Sequence, residues 1–171
     1  VDTQALVIDL RLNGGGQANA ALKISSYFYD QTMEVFTVKA KTPDGFTEPQ
    51  TIELQPSDTL HYKGDVIILT SGLTASAAEI FIVAMLQREG VTVIGESTAG
   101  IFSNQLQKQL PNGWQFTLSN EVYQTMTGDD LEVKGINPDI IQLNFTLDDR
   151  TQGRDRALEQ ALGYLNQQGI E

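Results

Sequence analysis

Every residue of the run Val66-Ile67-Ile68-Leu69 is apolar. It gives way at Thr70 to small residues, Ser71-Gly72-Leu73-Thr74-Ala75-Ser76-Ala77-Ala78-Glu79, before apolar positions resume from Ile80 to Leu86. An uninterrupted apolar strand needs cover on both faces, which the crossover helices of βαβ units supply. The stretch reads as buried strand, small-residue turn and helix, with Ser76 at the turn. Two readings stay open there. Ser76 and Glu79 have the spacing of a capping box. A side chain at such a turn can equally point out of the packed layer while unpaired helix-start N–H groups converge beside it, the arrangement of a nucleophile next to an oxyanion hole.

The rest of the chain repeats that grammar. Ala5 to Leu10 is an apolar, β-branched strand that runs through Arg11-Leu12-Asn13 into Gly14-Gly15-Gly16, and Ala18 to Tyr29 has helical spacing. Val35 to Lys41 and Thr47 to Leu54 flank Pro43-Asp44-Gly45 as a hairpin, and Pro56 to Gly64 is a loop containing His61. The helix after Ser76 is expected over Ala77 to Glu89, followed by a strand over Val91 to Ile94 and a loop over Gly95 to Gly100. Gln105 to Leu110 and Trp114 to Leu118 flank Pro111-Asn112-Gly113 as a second hairpin. Asp139 to Leu143 reads as a last strand and Arg154 to Asn166 as a terminal helix. The order predicts an α/β domain with a largely parallel central sheet and inserted hairpins, the ligand edge lying at the strand C-ends.

A chain of 171 residues is sufficient for one hydrophobic core and is read as a single domain. The formal net charge of −11 and the lack of any basic run argue against a nucleic-acid partner. With no cysteine and one histidine, neither a thiolate nor a histidine metal cluster can form, and no cofactor is expected. No apolar run reaches membrane-spanning length. The start at Val1, almost directly in a strand, reads as a trimmed chain, the C-terminal portion of a longer protein.

The remaining chemistry-bearing residues have plain readings beside functional ones. The glycine triplet lacks the spacing of a dinucleotide or P-loop cradle; it is a tight turn or a source of an N–H aimed at an oxyanion. His61 reads as a solvated loop residue, Lys108 as an exposed strand lysine, and Trp114 and Phe116, alternating with Gln115, as packing one face of their hairpin. Glu121 follows a strand, either solvated or orienting a base.

Five segments in order resemble the tail-specific or C-terminal processing serine protease family: Asp9 to Gly16, Thr74 to Glu79, Gly95 to Gly100, Leu110 to Gly113 and Lys134 to Asp139. The resemblance implies a crotonase/ClpP-like spiral of βαβ units and a serine-type peptidase acting on peptide or protein substrates. Ser76 would be the nucleophile, with an oxyanion hole from the Ala77 N–H and a glycine N–H of Gly14 or Gly15. Where processing proteases place a lysine base this chain has Ile101, so it is closer to the tricorn-core-like branch lacking that lysine. In that branch Glu121 would orient a histidine that lies upstream of Val1, beyond a PDZ domain also absent here, leaving the fragment inactive alone. Tricorn has an aspartate where this chain has Ala77. Family habit favours an exported protein. The alternative is a non-catalytic ligand-binding domain on the same fold, like the retinoid-binding repeats.

Overall fold

The computed structural model describes residues 3–170. Four parallel strands, β1 (Ala5–Asp9), β5 (Asp65–Thr70), β6 (Val91–Gly95) and β10 (Ile140–Ile141), form the central sheet in the order β1-β5-β6-β10. The central strand β5 is hydrogen-bonded on both sides, with Val66 opposite both Leu6 and Val91. Its side chains alternate between two covers. Val66 and Ile68 enter the larger core with helix α2 (Ala77–Met85), whereas Ile67 and Leu69 pack on Ala157, Ala161 and Leu165 of helix α4 (Arg156–Gln167). This double burial is why the run lacks the polar alternation of a half-exposed strand.

Helix α2 is buried at all nine residues, of which Glu79 alone is not apolar. Helix α1 (Ala18–Ser25) packs beside it, and a second, antiparallel sheet contributes Val35, Phe36, Leu54 and Tyr123 to the same core. That sheet contains β2 (Met33–Thr42), β3 (Gly45–Phe46), β4 (Gln50–Leu54) and β9 (Glu121–Thr125), with β2 paired to the other three. The first hairpin is thus the centre of its own sheet rather than an insertion at the rim of the parallel one.

Several boundaries move for local reasons. The expected helix to Tyr29 stops at Ser25 and tightens to a 3₁₀ turn over Ser26–Phe28, where the Ser25 and Ser26 hydroxyls donate to the carbonyls of Ala21 and Lys23. The last strand shrinks to Ile140–Ile141. Strand β9 was not anticipated, because Glu121–Thr125 is ordered by pairing with the distant β2. Helix α3 (Leu147–Gln152) was also missed, although Thr146 and Asp149 form a capping box and Gly153 ends it in the left-handed conformation. The second hairpin, β7 (Gln105–Gln109) with β8 (Gln115–Ser119), forms as expected, but the face that carries Trp114 and Phe116 is open to solvent, Trp114 being 73% exposed.

Arg11, just past β1, joins the sheet to α4. Its guanidinium donates to both oxygens of Asp155, the N-cap of α4, at 2.7 and 2.8 Å, and also to Asp9. These bonds hold the Asp9 and Asp155 carboxyls below their usual range. Asp149, bonded by the Thr146 hydroxyl and the Arg156 guanidinium, is lowered from 3.8 to about 2. A depressed carboxyl stabilises the fold above its unfolded value and loses that contribution as pH falls through its folded value. Stability measured by urea unfolding should therefore decline between about pH 4 and pH 2, and Asp149→Asn should flatten the decline; an equally steep profile in the variant would contradict the assignment.

Candidate active site

Strand β5 delivers the chain to the C-terminal edge of the sheet, where the small residues fold into a tight elbow. The Ser71 N–H donates to Thr74 Oγ1 at 3.0 Å, Thr74 Oγ1 donates to the Leu10 carbonyl at 2.8 Å, and the Ala75 N–H donates to the Asn13 carbonyl at 3.1 Å. The elbow is thereby tied to the loop after β1. At its apex Ser76 has φ 58° and ψ −123°, a conformation non-glycine residues avoid at a cost on the order of 1–3 kcal/mol. Strain of this kind at a strand-to-helix turn is what exposes the serine of a nucleophile elbow. The Ser76 hydroxyl makes no cap hydrogen bond, and the Ala77 N–H, first of α2, has no acceptor among the described residues.

Gly15 lies against this serine. Its φ is +102°, and a Cβ there would lie 2.6 Å from Ser76 Cβ and 2.7 Å from the Ala75 carbonyl oxygen, so only glycine allows the approach. Its N–H donates to Asn13 Oδ1 at 2.9 Å. Gly14 is a step away, with no atom near its Cβ direction, and borders a second open concavity with Asp9, Leu12, Asn13 and Gly15. Beside Ser76 lies an apolar cavity of about 240 Å³, lined among others by Leu10, Gly15, Ala77, Ala78 and Phe81.

The capping-box reading of Glu79 holds in part. The carboxylate accepts the Ser76 N–H at 2.9 Å. It also accepts Thr98 Oγ1, the Gly100 N–H at 2.8 Å and the Ile101 N–H at 2.9 Å, with no surface exposed to solvent. One side chain therefore pins the loop after β6 to the elbow at Ser76, a role the local spacing could not reveal. The loop is held from its other side by Gly135, whose Cβ would lie 2.4 Å from the Thr98 carbonyl oxygen, and by the Thr98–Ile136 backbone pair. Three of the quoted segments, around Ser76, Gly95–Gly100 and Lys134–Asp139, thus meet at one place.

Glu121 opens β9 opposite Ala40 and accepts the Asn104 N–H at 3.2 Å and the Tyr123 hydroxyl at 3.1 Å; neither bond reaches Ser76. Burial, then the nearby Glu121 charge, pushes the Tyr123 phenol up. Glu132, which sequence reading passed over, clasps the same loop by accepting the Phe102 and Ser103 N–H groups at 2.8 and 3.0 Å. Its neighbour Val133, at φ 69°, is with Ser76 one of two positive-φ non-glycine residues among those described. His61 bonds the Ser57 carbonyl and precedes the N-terminal end of β5, whereas Ser76 follows the C-terminal end, so six strand residues, roughly 20 Å, separate the two edges. Lys108 sits opposite Phe116 in the exposed ribbon and makes no hydrogen bond to Ser76. Among the described residues, no group of three or more His, Asp or Glu side chains is placed to hold a metal ion, and no helix is long and apolar enough to cross a membrane.

A strained serine at the C-terminal edge of a parallel sheet, with a helix-start N–H and a glycine turn beside it, has the geometry of the elbow found in serine hydrolases. The model of Peptidase family S41 matches residues 1–142, and the chain belongs to that family. It is 32% identical over 134 residues to the carboxy-terminal processing protease CtpA of Bacillus subtilis, covering 78% of this chain and 28% of that protein. It is 29% identical over 167 residues to the tail-specific protease of Haemophilus influenzae, covering 90% of this chain and 22% of that one. The chain spans less than a third of the length of these relatives. Among solved structures, a putative peptidase from Parabacteroides merdae superposes with a TM-score of 0.87 at 32% identity, over 95% of this chain and 52% of that one. The tricorn protease shares the fold, with a TM-score of 0.70 at 21% identity, over 96% of this chain and 15% of that one.

Two substitutions probe this geometry. Glu79→Gln turns one oxygen toward its donors as an amide N–H₂ and should cost about 2–4 kcal/mol of stability by urea unfolding; an unchanged midpoint would show that the four bonds are not the clamp. Gly15→Ala should cost about 2–5 kcal/mol, since it adds both a φ penalty and a backbone clash, and a stability within error of the parent would contradict the close packing on Ser76.

Proposed function

We propose that this chain is the nucleophile-bearing part of a serine peptidase that hydrolyses peptide bonds in peptide or protein substrates. The observation that carries the reading is Ser76 itself, strained, uncapped, and packed against Gly15 and the Ala77 N–H. Ser76 Oγ attacks the scissile carbonyl carbon as a base takes its proton. The carbonyl oxygen becomes an oxyanion bound by the Ala77 N–H and a glycine-turn N–H, and collapse of the tetrahedral intermediate expels the amine as it gains a proton. The acyl-enzyme ester is then released by water. The 240 Å³ cavity suits an apolar substrate side chain next to the scissile bond.

The base is a histidine supplied by another part of the longer protein. Neither His61 nor Lys108 is bonded to Ser76. Glu121 is its orienting partner: it stands in the strand beside the loop pinned by Glu79, and among the described residues its Oε2 takes both side-chain hydrogen bonds, which leaves Oε1 for an imidazole N–H. The second reading, a domain that holds an apolar ligand without catalysis, draws on the same cavity and on the absence of a bonded base at Ser76 among the described residues.

The test is active-site labelling of the full-length protein with a fluorophosphonate, together with peptide cleavage. Label should map to Ser76, and Ser76→Ala should abolish it and lower kcat by on the order of 10⁴–10⁶. Residues 1–171 alone should be cleavage-deficient. Cleavage untouched by Ser76→Ala would overturn the peptidase role, and a full-length protein that neither labels nor cleaves would favour the ligand-binding reading.

A further inference from the structure

Asn13 stands between the glycine turn and the nucleophile elbow and is bonded to both. Its carbonyl accepts the Ala75 N–H at 3.1 Å, one residue before Ser76, and its side-chain Oδ1 accepts the Gly15 N–H at 2.9 Å. Its own N–H donates to the Leu10 carbonyl at 3.0 Å, which anchors it to the end of β1. One residue therefore fixes both the peptide unit that enters Gly15 and the chain that presents Ser76. The tolerance is small, because a Cβ at Gly15 would lie 2.6 Å from Ser76 Cβ. A tilt of the Gly14–Gly15 peptide would either collide with the serine or open the gap beside it.

The Asn13 bond also decides which glycine amide remains for an oxyanion. Gly15 donates to Oδ1. Gly14 borders the open concavity with Asp9 and Leu12 and is absent from the cavity lining that Gly16 shares with Ala77. Gly16 has no acceptor for its N–H among the described residues and lines the same cavity as Ala77 and Asn13.

We infer that Asn13 is a positioning residue for the reaction: its side chain holds the Gly15 amide out of the oxyanion hole and orients the turn so that Gly16, with Ala77, supplies the two donors. Asn13 borders the cavity, but in this role it does not touch the reacting atoms. It acts through the turn, so its loss should appear in transition-state stabilisation rather than in substrate affinity. The inference rests on the serine-peptidase reading.

The experiment uses the full-length protein with three variants, Asn13→Ala, Asn13→Asp and Asn13→Leu. Asn13→Ala should lower kcat about 10- to 100-fold at nearly constant KM, the scale of a donor displaced rather than deleted. The affinity of a peptide aldehyde, which forms a tetrahedral adduct with Ser76, should fall by the same factor, while the affinity of the unreactive peptide alcohol stays unchanged. Asn13→Asp keeps an acceptor at the same place and should recover part of both losses, whereas Asn13→Leu, similar in size but without an acceptor, should not. Urea midpoints measured alongside separate these effects from unfolding: losses in the Leu and Ala variants that follow stability instead of the aldehyde-to-alcohol ratio would overturn the role. So would an unchanged or raised kcat in Asn13→Ala, which would make the bond a brake on Gly15 as donor. Failure of the parent protein to label at Ser76 sinks the peptidase reading; normal labelling of the parent with equal rates in Asn13→Ala sinks only this inference.

Discussion

The Glu79 carboxylate is the interaction on which the arrangement at Ser76 depends. Four donors from two segments, the Ser76 N–H, the Thr98 hydroxyl and the Gly100 and Ile101 N–H groups, converge on one fully buried side chain in the first turn of α2. Burying a carboxylate without partners is prohibitive, and four charge-assisted bonds at the positive end of a helix are the compensation. The same four bonds fix the loop after β6 relative to the serine. The fold around the site is therefore locked from the inside, by a group with no exposed surface and no access to a substrate.

Strain is concentrated where this lock acts. Ser76 and Val133 hold positive φ without being glycine, and each adjoins the clamped loop: Ser76 through its own N–H on Glu79, Val133 through its N–H on the Gly100 carbonyl at 2.7 Å. Such conformations persist only where surrounding bonds over-determine them. Around Ser76 those bonds are the Thr74 hydroxyl on the Leu10 carbonyl, the Ala75 N–H on Asn13 and the Glu79 carboxylate. Helix α2 behind them supplies a wall, all nine of its residues being buried.

The parallel sheet and its covering helices were legible because their signals are local. Val66–Leu69, the glycine turn and the apolar spacing of α4 each follow from a few adjacent residues. The position of Ser76 at an elbow was legible for the same reason. What the residues did not show is partnership at a distance: β9 takes its order from β2 more than eighty positions away, and Glu79 takes three of its four donors from around residue 100. Glu79 looked like a helix cap because its bond to Ser76 is local, and the larger part of its role is not. Asn13 was passed over within a segment valued for its glycines, although an asparagine two residues before a glycine is a known turn former.

Ile101 shows that the clamp at Glu79 is indifferent to the side chain that follows Gly100. The bond that holds position 101 is made by its backbone N–H to Glu79, and the side chain is about half exposed at 47%. Nothing in the clamp depends on which side chain stands there. An isoleucine side chain offers no base, and Ser76, the glycine turn and the Ala77 N–H are held without any contribution from it. Under the serine-peptidase reading, the half of the site built around Glu79 is preorganised whatever group serves as the base, because the Glu79 bonds fix Ser76 and the loop after β6 by themselves.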